Sequence, residues 1–208
     1  MPFITISRMY GSGGSEIAER VATALKWALY DNAVVDAVAE RSGLTRAEVT
    51  AQEERVPSMV ERLGAAFSLG TPESMPAVID RPLPTAEEEI VAVTRRVIED
   101  AVQKGPAVIV GRGAQWLLGE RTDALHVLCY APRAELVRRA VTDLGVSPER
   151  AERAVAEMNK QREQYIRRHW NRHWLAPENY HLCLDTAWHG IEGASTLITR
   201  IARDRFGA

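Results

Sequence analysis

The residues best placed to do chemistry lie near the amino terminus, in the run Ser7-Arg8-Met9-Tyr10-Gly11-Ser12-Gly13-Gly14-Ser15-Glu16. Three glycines in four positions follow the apolar, β-prone stretch Phe3-Ile4-Thr5-Ile6 and run straight into apolar residues at helical spacing, Ile17, Ala18, Val21, Ala22 and Leu25. Strand, tight loop and helix in that order aim backbone N–H groups and a helix N-terminus at an anion, so Gly11, Ser12, Gly13, Gly14, Ser15 and Glu16 are candidates for cradling phosphate. The Walker pattern G-x-x-x-x-G-K-[ST] fits imperfectly. Arg8 stands at its first glycine, Gly13 at its second, Gly14 at its lysine, and Ser15 at the hydroxyl that would bind a magnesium ion. The only lysines are Lys26, Lys104 and Lys160, all outside the loop, so a cation on the phosphates has to be an arginine, and Arg8 is the nearest in sequence. A glycine-rich turn without a ligand is the plain alternative.

Three further sites stand out. Arg112 lies one residue past the apolar run Ala107-Val108-Ile109-Val110 and between Gly111 and Gly113, where a guanidinium can hold a phosphate or carboxylate bidentately or else pair with a surface acid. Asp31 ends the short run Trp27-Ala28-Leu29-Tyr30 and opens a helical pattern, either as an acceptor contact or as an N-cap. The segment from Asn159 to Trp174 sets Lys160, Arg162, Arg167, Arg168 and Arg172 among aromatic residues. It reads as a solvated face, as an RNA-contact surface or, beside a phosphate loop, as a movable arginine-rich lid that neutralises charge and excludes water.

The elements that must position these residues alternate. Helical spacing recurs from 85 to 103, in a helix after Ala131-Pro132, from 148 to 169 and in a C-terminal stretch capped near Gly190. Continuous apolar runs at Ala107–Val110, Leu125–Tyr130 and Tyr180–Leu184 suit strands covered on both faces. The fold expected is α/β, a parallel sheet with helices on both sides, and Gly11–Ser15, Asp31, Gly111-Arg112 and Asp185-Thr186 all fall at carboxyl edges of its strands. A capping box at Thr45 and Glu48 marks one more helix, and the Pro-rich stretch between Val56 and Pro84 reads as a mobile flap. With 208 residues, 46% hydrophobic, one buried core is expected. A net charge of −2 argues against a general nucleic-acid binder. Cys129 and Cys183 lie in strand-like runs without metal-ligand spacing, as reduced cytosolic thiols do. No run approaches a membrane span and Met1-Pro2-Phe3 lacks a leader's basic start, so a cytoplasmic, soluble protein without a membrane partner is expected.

The ordered set S-R-M-Y-G-S-G-G-S-E-I-A, L-Y-D-N, V-A-E-R-S-G-L-T, V-I-V-G-R-G-A, Y-A-P-R-A-E-L-V-R-R and E-N-Y-H-L-C-L-D-T resembles the cytidylate kinase-like family, a branch of the P-loop nucleoside monophosphate kinases. The resemblance implies a single three-layer P-loop kinase domain with a core at 1–30, 86–147 and 180–208, an acceptor-binding flap at about 31–85 and a lid at about 148–179. It implies ATP and Mg²⁺, ATP phosphates on Gly11 to Ser15, an acceptor facing Asp31 and Arg112, and lid arginines among Arg162, Arg168 and Arg172. The acceptor implied is CMP or dCMP. Two departures matter. The loop lysine is Gly14, and the D-G-R-D run of cytidylate kinases is here Val110-Gly111-Arg112-Gly113. They leave open a kinase of another small metabolite and a nucleotide-binding regulatory protein without catalysis.

Overall fold

The structure, a computed structural model, describes residues 1–31, 45, 86–119 and 121–207. The expected helix around 34–43, the Thr45 capping box beyond Thr45 itself and the Pro-rich flap lie outside the described residues.

Five strands form one parallel sheet in the order β2-β3-β1-β4-β5: β1 (Phe3–Arg8), β2 (Ala28–Tyr30), β3 (Ala107–Val110), β4 (Ala124–Tyr130) and β5 (Leu182–Asp185). β1 sits at the centre, with Ile6 opposite Val110 of β3 and Val127 of β4. Its apolar residues alternate between two cores. Ile4 and Ile6 join Val108, Val110, Leu125, Val127 and Cys129 under α1 (Gly14–Leu25) and the C-terminal helix α6 (Thr186–Phe206). Phe3 joins Ala107, Ile109 and Ala124 on the opposite face under α2 (Ala86–Lys104) and the short α3 (Ala114–Leu117). That is the three-layer α/β sandwich expected from runs that are apolar on both sides. Among the polar residues on the second face, Thr5 Oγ1 lies 2.8 Å from His126 Nδ1 and Gln115 Nε2 donates to Ser7 Oγ at 2.8 Å, while the hydroxyl of buried Thr94 on α2 has no partner among the described residues.

Two helices stand outside the sandwich and pack on each other through Leu136, Ala140, Ala151 and Val155. These are α4 (Arg133–Leu144) and the long α5 (Pro148–Trp170), which starts at Ser147, whose hydroxyl accepts from the Arg150 N–H. Met9 and Tyr10 of the glycine loop pack against this pair, so the loop is held between sheet and lid helix. The C-terminal helical segment agrees with the expected boundary near Gly190 and adds a short turn before it. It begins at Thr186, capped by Asp185, which accepts from the N–H groups of Ala187 and Trp188 at 2.8 and 3.4 Å. Gly190, at φ 67° and ψ 171°, is non-helical and separates that first turn from the long helix that follows.

Candidate active site

The chain leaves β1 at Arg8 and turns through Met9 to Gly13 into α1. The Met9 N–H donates to the Cys129 carbonyl at 2.9 Å, while the N–H and hydroxyl of the buried Ser12 both donate back to the Met9 carbonyl at 3.1 and 2.7 Å. Gly11 and Gly13 adopt left-handed backbone, at φ 81° and 75°. A side chain at Gly11 would also come within 2.5 Å of the Leu136 carbonyl oxygen. Gly13 caps α1 without a side-chain hydrogen bond, so the first-turn amides of α1, which have no intrahelical partner, are not taken up by a capping side chain. Ser15 is exposed in that turn. Glu16 is held by Arg20 at 2.9 and 3.1 Å.

Arg8 explains the loop's composition. A Cβ built on Gly14 would strike Arg8 Cβ, with Arg8 Cγ only 2.9 Å away, and one built on Gly111 would strike Arg8 Nη1. The side chain therefore runs across Gly14, past Gly111, and ends with Nη2 3.8 Å from Asp31 Oδ1, both side chains about four-fifths buried. Burial pulls the Arg8 pKa down, opposed by the charge of Asp31 and then by Cys129. Burial likewise pushes the neighbouring Cys129 thiol up to about 12, which makes it inert.

Arg112 and Arg162 meet Arg8 around a cavity of about 110 Å³, also lined by Ser7, Gly111, Gly113 and Gln161. Arg112 holds left-handed backbone at φ 58°, unusual for a residue with a side chain. The glycines on either side admit the protein's own groups: Gly111 makes room for Arg8, and Gly113 for the ring of Trp170. Arg162 Nη1 donates to the Arg8 carbonyl at 2.7 Å, and its guanidinium lies 5.8 Å from the Tyr10 ring centroid. Asn159 accepts from the Tyr10 N–H at 2.7 Å, fixing α5 to the loop a second time. Arg168 is not in the cavity wall, and Arg172 faces a separate groove bounded by Trp116, Trp170, Tyr180 and His181.

Two groups at the site were not singled out by the sequence. Arg139 of α4 donates through Nη1 to the Ser12 carbonyl and Thr186 Oγ1, each at 3.0 Å, and through Nη2 to the Thr186 carbonyl at 2.8 Å. Its Nε bonds Glu135 at 2.7 Å, and hydrogen bonds from Arg138 and then Arg139 draw that carboxylate down to about 2. Glu135 and Arg139 stand four apart in a helix beginning at a strand's carboxyl edge, which was the available signal. Gln115 is the second. It donates to Ser7 and, at 3.3 Å, to Tyr180 OH, which donates to the Trp174 carbonyl at 2.6 Å, so the cavity wall at Trp174 is tied to β1.

The sequence profile of the cytidylate kinase-like family matches residues 3–187. The chain belongs to that family. Among solved structures, an uncharacterized protein from Eubacterium ventriosum ATCC 27560 superposes with a TM-score of 0.71 at 18% identity, covering 99% of this chain and all of that one. The shikimate kinase of Acinetobacter baumannii, solved in complex with shikimate, gives 0.50 at 14% identity over 99% of this chain and 96% of its own. That of Bacteroides thetaiotaomicron gives 0.51 at 11% identity over 96% and 97%. At these identities the likeness carries the fold, that of P-loop kinases. No curated protein sequence matches the chain. Among the described residues no helix is long and apolar enough to cross a membrane.

Proposed function

We propose that this protein is an ATP-dependent kinase that transfers the γ-phosphoryl group to a small anionic acceptor, a nucleoside monophosphate with CMP and dCMP first. Family membership supports phosphotransfer to a nucleotide or small metabolite. The observation that carries the reading is the convergence of Arg8, Arg112 and Arg162 on one cavity directly beside the glycine loop. Guanidinium groups at the carboxyl edge of β1 and β3 suit a phosphate held against the donor. An acceptor phosphate oxygen is already anionic, so the transfer needs positioning and charge neutralisation more than a strong base.

The donor side fits a triphosphate: the loop has no room for side chains at Gly11, and the first turn of α1 carries no side-chain cap. Mg²⁺ supplies charge on the phosphates when bound. The ion would come with the nucleotide's phosphates and meet the exposed Ser15 hydroxyl in the first turn of α1. A second reading, a small hydroxylated anion as acceptor, is favoured by Gln161 Oε1, which is buried without a hydrogen-bond partner and belongs to a residue lining the cavity. A hydroxyl would satisfy it. Both readings place the protein among small molecules, with neither nucleic acid nor membrane as partner.

The test is ADP release from ATP and Mg²⁺ across a panel of nucleoside monophosphates and hydroxylated carboxylic acids and sugar phosphates. CMP or dCMP turning over best supports the first reading, and a hydroxylated anion the second. ATP binding with no acceptor turned over would refute both and leave a regulatory nucleotide binder.

A further inference from the structure

The two departures from the Walker pattern, Arg8 for its first glycine and Gly14 for its lysine, are one contact in space. A Cβ at position 14 would strike the Arg8 Cβ and crowd its Cγ, so a lysine at 14 and an arginine at 8 compete for the same space. A Cβ at Gly111 would meet only the far end of the same side chain at Nη1, which can swing aside, and the left-handed φ of 71° is what favours glycine there. We infer that Arg8 is the phosphate loop's cation, moved from the first turn of α1 to the last residue of β1, and that Gly14 is the space this arrangement requires. The inference rests on the kinase reading and goes beyond it by naming the group that bears the charge.

The placement suits the task. The stem of Arg8 lies on the donor loop, and its head enters the cavity shared with Arg112 and Arg162. Asp31 at 3.8 Å and the Arg162 bond to the Arg8 carbonyl hold the side chain and backbone in position. During transfer the bond from the γ-phosphorus to the β,γ-bridging oxygen breaks as one to the acceptor oxygen forms. The negative charge left on ADP and spread over the moving phosphoryl group is what Arg8 offsets. A fork of N–H donors can serve donor and acceptor oxygens together, which a lysine ammonium does less well.

The contact can be reversed. Arg8→Gly together with Gly14→Lys gives G-M-Y-G-S-G-K-S over residues 8–15, which satisfies the Walker pattern in full. Four proteins are compared, parent, Arg8→Gly, Gly14→Lys and the double variant, with Arg8→Met as a fifth that keeps a stem over Gly14 and drops the charge. Two readouts are taken: kcat with the best acceptor, and affinity for ADP with aluminium fluoride and Mg²⁺, a mimic of the moving phosphoryl group, relative to ADP alone. Arg8→Met and each single swap should lose on the order of 10³ in kcat and the extra affinity for the fluoride complex, with ADP affinity of Arg8→Met within threefold of the parent. The double variant should recover at least a hundredfold over either single. Losses that multiply in the double variant, or Arg8→Met keeping kcat within tenfold and the fluoride increment intact, would overturn the role of Arg8 while leaving the kinase reading standing. A parent that binds neither ATP nor ADP would remove that reading and this inference with it.

Discussion

Arg112 offers a measurement in which strain and function are read from the same pair of variants. Its φ of 58° lies in the left-handed region, where a Cβ costs roughly 1–2 kcal/mol. Glycine escapes that term but carries about 0.5–1 kcal/mol of extra unfolded-state entropy. Arg112→Gly should therefore be more stable than Arg112→Ala by about 0.5–1 kcal/mol, which in a chain of this length is roughly 1–4 °C in Tm. Whatever contacts the arginine side chain makes are lost equally in both, so the comparison isolates the backbone. Function should not distinguish them: both remove one guanidinium from the cavity wall, and losing a charge-assisted hydrogen bond of about 1.5–3 kcal/mol raises the acceptor KM about tenfold to a hundredfold. Differential scanning calorimetry and steady-state kinetics at saturating ATP supply the readings. An alanine variant that melts at or above the glycine one would show that the backbone at 112 is not held left-handed. An acceptor KM unchanged in both would remove Arg112 from the acceptor site.

Gly13→Val should abolish ATP binding by calorimetry and also destabilise the fold, by about 2 kcal/mol or more. The backbone there is left-handed at φ 75° and a Cβ would strike Ile191 Cδ1, so a full-strength ATP isotherm would place the donor elsewhere. Arg139→Lys should raise the ATP KM about tenfold with little change for the acceptor, because its bonds to Ser12 and Thr186 fix the donor loop; the reverse pattern would refute that role. His126 carries a pH dependence. Burial, and then the charge of His181, lower its pKa from 6.5 to about 4. The unfolded imidazole thus takes up a proton first as pH falls, and stability held in full above pH 6.5 declines between 6.5 and 4, by about 2 kcal/mol at pH 5. Unfolding of His126→Gln at pH 7.5 and 5 should show that much less pH dependence than the parent, and equal slopes would sink the assignment.

Periodicity and punctuation made the scaffold legible. Val108, Ile109 and Val110 could only be a strand covered on both faces, and Ser147-Pro148 is a helix start that the structure keeps. The boundary at Gly190 was legible because glycine punctuates helices, whereas the short turn before it was not, since the hydrogen bonds that start it come from the Asp185 side chain. At the site, residue types at strand ends were readable, since a parallel sheet brings its carboxyl edges together. Arg139 was hidden because its partners, Ser12 and Thr186, are 127 and 47 residues away in sequence. Arg172 illustrates the converse, as proximity in sequence to Arg162 did not put it in the same cavity.

Gly14 shows why a missing motif residue is ambiguous until packing is known. From the sequence it is a loop without its lysine, and a relic or a regulatory binder follows as naturally as an enzyme. In space the position is filled, by a buried arginine whose desolvation is costly unless anions meet it. Asp31, at 3.8 Å, is a long contact for that charge, and Arg112 and Arg162 line the same cavity. A fold that places three guanidinium groups around about 110 Å³ beside its glycine loop is arranged to receive negative charge there. The substitution at Gly14 therefore argues for a relocated cation sooner than for a lost one.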